Sequence, residues 1–106
     1  MYVRKVAMKL KPNASADFTK HLEADVIPLL RKQKGFQDEI AFASDERRRA
    51  FGISLWDSKE SADVYSRGDY AQVKKIMASV IDGKAHVRGY EVSTSTFHRI
   101  LTTEEK

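Results

Sequence analysis

Two periodicities alternate along this chain, and their order constrains the fold more than any other feature. Residues 2–10 alternate as a strand does, with Tyr2, Val6, Met8 and Leu10 on one side and Val3, Lys5, Ala7 and Lys9 on the other. Lys11, Pro12 and Asn13 break that pattern. Phe18, Leu22 and Val26 then stand four apart, with Leu29 and Leu30 extending the stripe, which predicts an amphipathic helix. Asn13 or Ser15 is its expected cap, Pro28 should kink it or loosen the preceding turn, and Gly35 should end it. Residues 36–43 and 49–56 alternate again across a short polar turn, as the arms of an antiparallel hairpin do. Asp57 or Ser58 is placed to cap a second helix, and Asp57 with Glu60 has capping-box spacing. Gly68 and Asp69 should interrupt that helix before Tyr70, Val73, Ile76, Met77, Val80 and Ile81 resume it, up to Asp82 and Gly83. Residues 87–97, rich in Val, Tyr, Thr and Ser, predict a long last strand, and the polar residues after 101 a frayed tail.

The order β-α-β-β-α-β predicts one ferredoxin-like α+β domain over residues 1–106: a four-stranded antiparallel sheet with two helices on one face. Its other face then lacks a cover. Strand residues sort into an apolar set (Val6, Met8, Leu10, Phe36, Ile40, Phe42, Phe51, Ile53, Leu55, Tyr90, Val92) and a mixed set. The mixed set is Lys5, Ala7, Lys9, Glu39, Ala41, Ala43, Gly52, Ser54, Trp56, Glu91, Ser93, Ser95 and Phe97. Small residues beside a few aromatics and charges suit a lined cavity or a face-to-face interface, so the mixed set is the expected uncovered face. One β-bulge would exchange the sets within a strand.

Charge and composition narrow the function classes. A net charge of +4 from 19 basic and 15 acidic residues, spread along the chain, shows no basic stripe and argues against nucleic acid. The cluster Arg47, Arg48, Arg49 reads as one charged turn. There is no cysteine, hence no disulfide and no thiolate metal site. The opening residues carry Arg4, Lys5 and Lys9 without an apolar run of signal-peptide length, and no stretch suits a membrane span, so the cytoplasm is the expected compartment.

The ordered pieces VAMKLKPN, DVIPLLRKQKGF, FGISLWDSKESADVY and VRGYEVSTSTFHR, spread over about residues 2–99, resemble the antibiotic-biosynthesis-monooxygenase-like domains of the dimeric α+β barrel superfamily. The resemblance implies a homodimer whose two sheets pack face to face into a barrel, covering the open face. It also implies a small-molecule cavity, for an aromatic or apolar ligand, and cofactor-independent oxidation of an aromatic substrate. No cofactor is expected, because in such oxygenases the substrate's own carbanion reduces O2. Trp56 matches a site tryptophan of the aromatic monooxygenases; their asparagine falls at Gly52 and their tyrosine at Ala62, so both are replaced. The haem-degrading members' strand asparagine and helix histidine have no counterpart here. A non-catalytic barrel that binds a small apolar molecule is the alternative, and an RNA-recognition-like sheet a third reading. RAFGISLW supports the third through Arg49, Phe51 and Gly52, whereas Ile53 and Ala7 stand where stacking aromatics would be needed.

Individual candidates follow. Trp56 offers a broad face to a flat ligand, or else packs at a strand end with its indole N–H on backbone. Tyr65, Tyr70 and Tyr90 could line a pocket with their hydroxyls, or else pack in the core, and Tyr65, Tyr90 and Ser54 are candidate substrate-binding residues. His98 is a candidate acid or base because imidazole titrates near neutrality. His21, His86 and His98 lack metal-ligand spacing, and no metal is expected. Glu39 and Glu91 would form a carboxylate pair only if their strands were neighbours.

Overall fold

The computed structural model describes residues 1–97. Its elements are β1 (Tyr2–Lys9), α1 (Ser15–His21), a π-helical segment (Leu22–Val26), α2 (Ile27–Arg31), β2 (Phe36–Ser44), β3 (Arg49–Trp56), α3 (Lys59–Arg67), α4 (Tyr70–Met77) and β4 (His86–Glu91). The strands form one antiparallel sheet in the order β2-β3-β1-β4, the ferredoxin-like arrangement expected from the element order. The helices bury Phe18, Val26, Leu30, Ala62, Tyr65, Val73 and Met77 against Met8, Ala50 and Trp56 of the sheet.

Each predicted helix is divided. Pro28 has no N–H to offer the carbonyl four residues back, and its ring crowds that carbonyl. The turn before it accordingly widens into the π-helical segment Leu22–Val26. Gly68 and Asp69 separate α3 from α4 as expected.

The start of α1 differs from expectation, whereas α3 is capped by Ser58, one of its two expected caps. Ala14 occupies the N-cap of α1 without a side-chain hydrogen bond, and Asn13 lies at φ 57° in the turn before it. The capping carboxylate comes from the β2–β3 turn instead. Asp45 accepts from the Ser15 N–H (3.0 Å) and from the Ser15 hydroxyl (2.6 Å). At α3 the cap is Ser58, whose hydroxyl accepts from the Ser61 N–H at 3.2 Å, so the Asp57–Glu60 box does not form.

The last two elements are shorter than their patterns suggested. α4 ends at Met77 because the next residues turn to pair with the end of β1, through the Leu10↔Ile81 bridge and the bonds Lys11 N–H to Val80 O and Asp82 N–H to Lys9 O. β4 ends at Glu91, opposite Tyr2, and the Val92 N–H still reaches Met1 O. Arg48 departs from the plain charged turn. At φ 51° it folds back, donating to Leu10 O at 3.0 Å and pairing with Asp82 at 2.9 Å.

The principal correction concerns the two sheet faces. Val6 pairs with Gly52, Arg4 with Ser54 and Met8 with Ala50, so the apolar side of β1 shares its face with the small side of β3. A bulge between Phe36 and Asp38 also turns Phe36 onto that face, where it meets Trp56. The helix-covered face therefore combines Val6 and Met8 with Glu39, Ala41, Gly52, Ser54 and Trp56. The uncovered face is the apolar one, with Ile40, Phe42, Phe51 and Tyr90 between 36% and 54% exposed.

Candidate functional site

Small side chains on β2 and β3 leave a gap beneath the helices. Ala41, Gly52 and Ser54 cannot reach the layer above, and a Cβ built at Gly52 would meet nothing within 4 Å. The gap is a cavity of about 510 Å³. Its floor is sheet: Arg4, Val6, Met8, Glu39, Gly52 and Ser54. Its roof is helix: Phe18, Leu22 and Val26 on one side, Tyr65, Tyr70, Val73 and Met77 on the other. Leu22 and Val26 bound the widened turn, so the Pro28-induced segment shapes the roof directly.

An aromatic series leads into the cavity wall. Phe36 meets Trp56 edge-on at 5.6 Å, Trp56 stacks on Tyr65 at 5.1 Å, and Tyr65 leans on Tyr70 at 5.8 Å. The Arg4 guanidinium closes the series, with Cζ 3.9 Å from the Tyr70 ring centre and 5.2 Å from that of Tyr65. Arg4 is 5% exposed, and its Nε donates to the Ser66 hydroxyl at 2.8 Å. Ser54 is a junction beside it: its hydroxyl accepts from Trp56 Nε1 at 2.9 Å and donates to the Arg4 carbonyl at 3.4 Å.

Burial sets the protonation states here. It raises the Glu39 carboxyl above its usual 4.5, since few polar partners offset the lost water. The Tyr65 phenol is pushed up to about 12, mainly by burial and against the pull of the Arg4 charge, so it stays neutral at physiological pH. The cavity thus holds a fixed cation, a carboxyl with increased proton affinity and a neutral phenol.

Of the residues singled out from sequence, Ser54 and Tyr65 line the cavity, as does Tyr70. Trp56 lies one layer behind Tyr65, wholly buried, with its indole N–H on the Ser54 hydroxyl rather than on backbone. Tyr90 is on the opposite, open face of the sheet, apart from the others. His98 lies outside the described residues. Glu39 and Glu91 are not a pair, because β2 and β4 are the two edges of the sheet. His21 sits near the Ser79 hydroxyl at 3.5 Å, and His86 starts β4. Among the described residues no three His, Cys, Asp or Glu side chains gather as a metal would require.

Arg4 was passed over as one of several charges near the start of the chain. The signal was its parity: position 4 belongs to the series Tyr2, Val6, Met8, so a strand that buries Val6 and Met8 buries Arg4 as well.

No protein-family model and no curated protein matches the sequence. Solved structures do match in fold. A monooxygenase from the Streptomyces coelicolor gene ActVA-Orf6, in complex with nanaomycin D, superimposes with a TM-score of 0.76 and 16% identity over 91% of this chain and 90% of that one. A putative antibiotic biosynthesis monooxygenase from Bordetella bronchiseptica gives 0.71 and 16% identity over 88% of this chain and 98% of its own. SnoaB, a cofactor-independent oxygenase from Streptomyces nogalater, gives 0.70 and 9% identity over 90% and 95%. This chain has the fold of the antibiotic-biosynthesis-monooxygenase-like proteins.

Proposed function

We propose that this chain binds a planar, mostly apolar small molecule between its helices and sheet and oxidises it as a monooxygenase-like protein without a bound cofactor. The observation that carries the reading is the cavity itself: about 510 Å³, walled by aromatic and aliphatic side chains, with few polar groups. Fold neighbours that are named monooxygenases, one of them cofactor-independent, support it. In such a reaction the substrate supplies the electrons. Removal of a proton from an activated ring methylene leaves a carbanion that reduces O2. One oxygen atom becomes the new carbonyl oxygen, and the other leaves as water with the two hydrogens. The protein's part is to position the ring, take the first proton and stabilise the anion. Glu39, a cavity carboxyl with raised proton affinity, is suited to the proton, and Arg4 to the charge.

The open sheet face is the proposed homodimer interface. Ile40, Phe42, Phe51 and Tyr90 would otherwise leave large apolar side chains of this face in water. A second copy packed against it would give the barrel implied by the fold.

The test combines binding and turnover. Trp56 is the chain's one tryptophan and stacks on a cavity residue, so its emission reports the cavity wall. Saturable quenching by polycyclic quinols, with oxygen consumed in proportion to product, supports the enzyme reading. Saturable quenching without oxygen uptake for any of them supports a ligand-binding role in its place. A solution mass of two chains that falls to one in Phe42→Glu supports the interface; a monomeric parent protein refutes it.

A further inference from the structure

We infer that the Arg4 end of the cavity is a binding site for an anionic oxygen, so that the ligand taken there is a planar aromatic acid, a carboxylate or an ionised enol, rather than a neutral hydrocarbon. The inference rests on the cavity reading above and specifies its ligand.

Arg4 is more than nine-tenths buried, yet among the described residues no carboxylate lies within 4 Å of its guanidinium. Removing a guanidinium from water is unfavourable unless a partner offsets the lost hydration. The partners present are one neutral hydroxyl, Ser66, on Nε, and the faces of Tyr70 and Tyr65. Cation–π contact with the two rings offsets part of that cost without supplying a counter-charge. Those contacts do fix the group. With Nε held by Ser66 and one face held on Tyr70 at 3.9 Å, both Nη nitrogens lack a hydrogen-bond partner among the described residues, and the side chain lines the cavity. A planar fork with two free donors is the geometry that receives a carboxylate or a pair of neighbouring oxygens.

The surroundings favour the same charge. Lys74 and Lys84 stand exposed along the cavity's lining, and both would draw an anion inward. Glu39 faces the same cavity from the far side of β3. Arg4 and Glu39 both pair with Ser54, which places them two strand spacings apart, about 10 Å between backbones. An anion seated on Arg4 therefore leaves the apolar ring system between the two, with its far end toward Glu39. A second negative group at that far end would meet the carboxylate. The site accordingly prefers a monoanion. Tyr65, kept neutral by burial, adds no negative charge.

The experiment titrates the full chain with three probes and follows Trp56 emission: 2-naphthoate, its methyl ester, and 2-hydroxy-1,4-naphthoquinone, whose enol is ionised at neutral pH. Charge-assisted hydrogen bonds at a buried site predict binding of at least one acid tenfold or more tighter than the ester. Arg4→Gln should bring that ratio to near one, and Arg4→Lys should retain part of it, since the charge remains but the fork is lost. Which acid binds more tightly identifies carboxylate or enolate as the preferred group, and either supports the inference. Acid and ester binding equally to the parent protein overturns it while leaving the cavity reading intact. A ratio that survives in Arg4→Gln overturns Arg4 as its source. Binding of none of the three overturns the cavity reading and this inference together. Should Arg4→Gln fail to fold, the acid-to-ester ratio in the parent and in Arg4→Lys still decides.

Discussion

Replacing Trp56 by Phe tests whether the aromatic series that ends at Arg4 is held together by packing. Trp56 is 0% exposed, touches Phe36 edge-on at 5.6 Å and Tyr65 face-on at 5.1 Å, and donates its indole N–H to Ser54 at 2.9 Å. Phe keeps one ring and the edge contact but removes the pyrrole half. Truncation of a buried Trp to Ala costs about 3–5 kcal/mol, so the partial loss corresponds to roughly 1–2 kcal/mol of packing and cavity. The lost hydrogen bond to Ser54 adds about 1 kcal/mol. The sum, about 2–3 kcal/mol, lowers the melting temperature by roughly 10 °C in a domain of this size. The assay is urea unfolding followed by circular dichroism, since the variant has no tryptophan left to observe. The double variant with Ser54→Ala should show a coupling of about 1 kcal/mol, reporting the hydrogen bond alone. A loss below about 0.5 kcal/mol for Trp56→Phe would refute the packing argument, because no well-packed interior absorbs that change so cheaply.

Gly35 adopts φ 85°, and a Cβ there would collide with Asp57 and Ser61, so Gly35→Ala should cost about 2 kcal/mol or more in urea unfolding, whereas Gly52→Ala, with open space at its Cβ, should cost little. Burial raises the Glu39 carboxyl above 4.5, so the folded chain binds that proton more tightly than the unfolded chain, and stability is lost as pH rises from the unfolded value through the folded one. Glu39→Gln should therefore become more stable relative to the parent as pH rises from 4.5 toward neutrality, and a difference that is flat across that range would contradict the burial argument.

The element order was legible because each element carries its own periodicity and is bounded by its own breakers. β3 begins at Arg49 and ends at Trp56, as alternation required, and Pro28 and Gly68 act where local stereochemistry dictates. What pairing decides was not legible. Whether Gly52 shares a face with Val6 or with Ala7 depends on register, and alternation within one strand carries no information about its neighbour. Sorting by hydropathy failed because both faces of this sheet bear apolar residues: one lines a cavity with small side chains, and the other exposes Ile40 and Phe42. The bulge after Phe36 compounded the error by moving that ring to Trp56. The candidate site was half legible for the same reason. Ser54 and Tyr65 were singled out and line the cavity, while Arg4 was noted only as one of the opening charges although its parity placed it inside. Asp45 as the cap of α1 lies thirty positions from its partner, beyond any local capping rule.

The central claim is that ligands enter between the helices and the sheet, and amide chemical-shift mapping with 2-naphthoate tests it most directly. The account predicts the largest shifts at Gly52, Ser54, Tyr65 and Tyr70, which wall the cavity, with small ones at Ile40 and Phe42 across the sheet. Shifts concentrated at Ile40, Phe42 and Phe51, with the cavity residues unmoved, would place the binding site on the open face and contradict it.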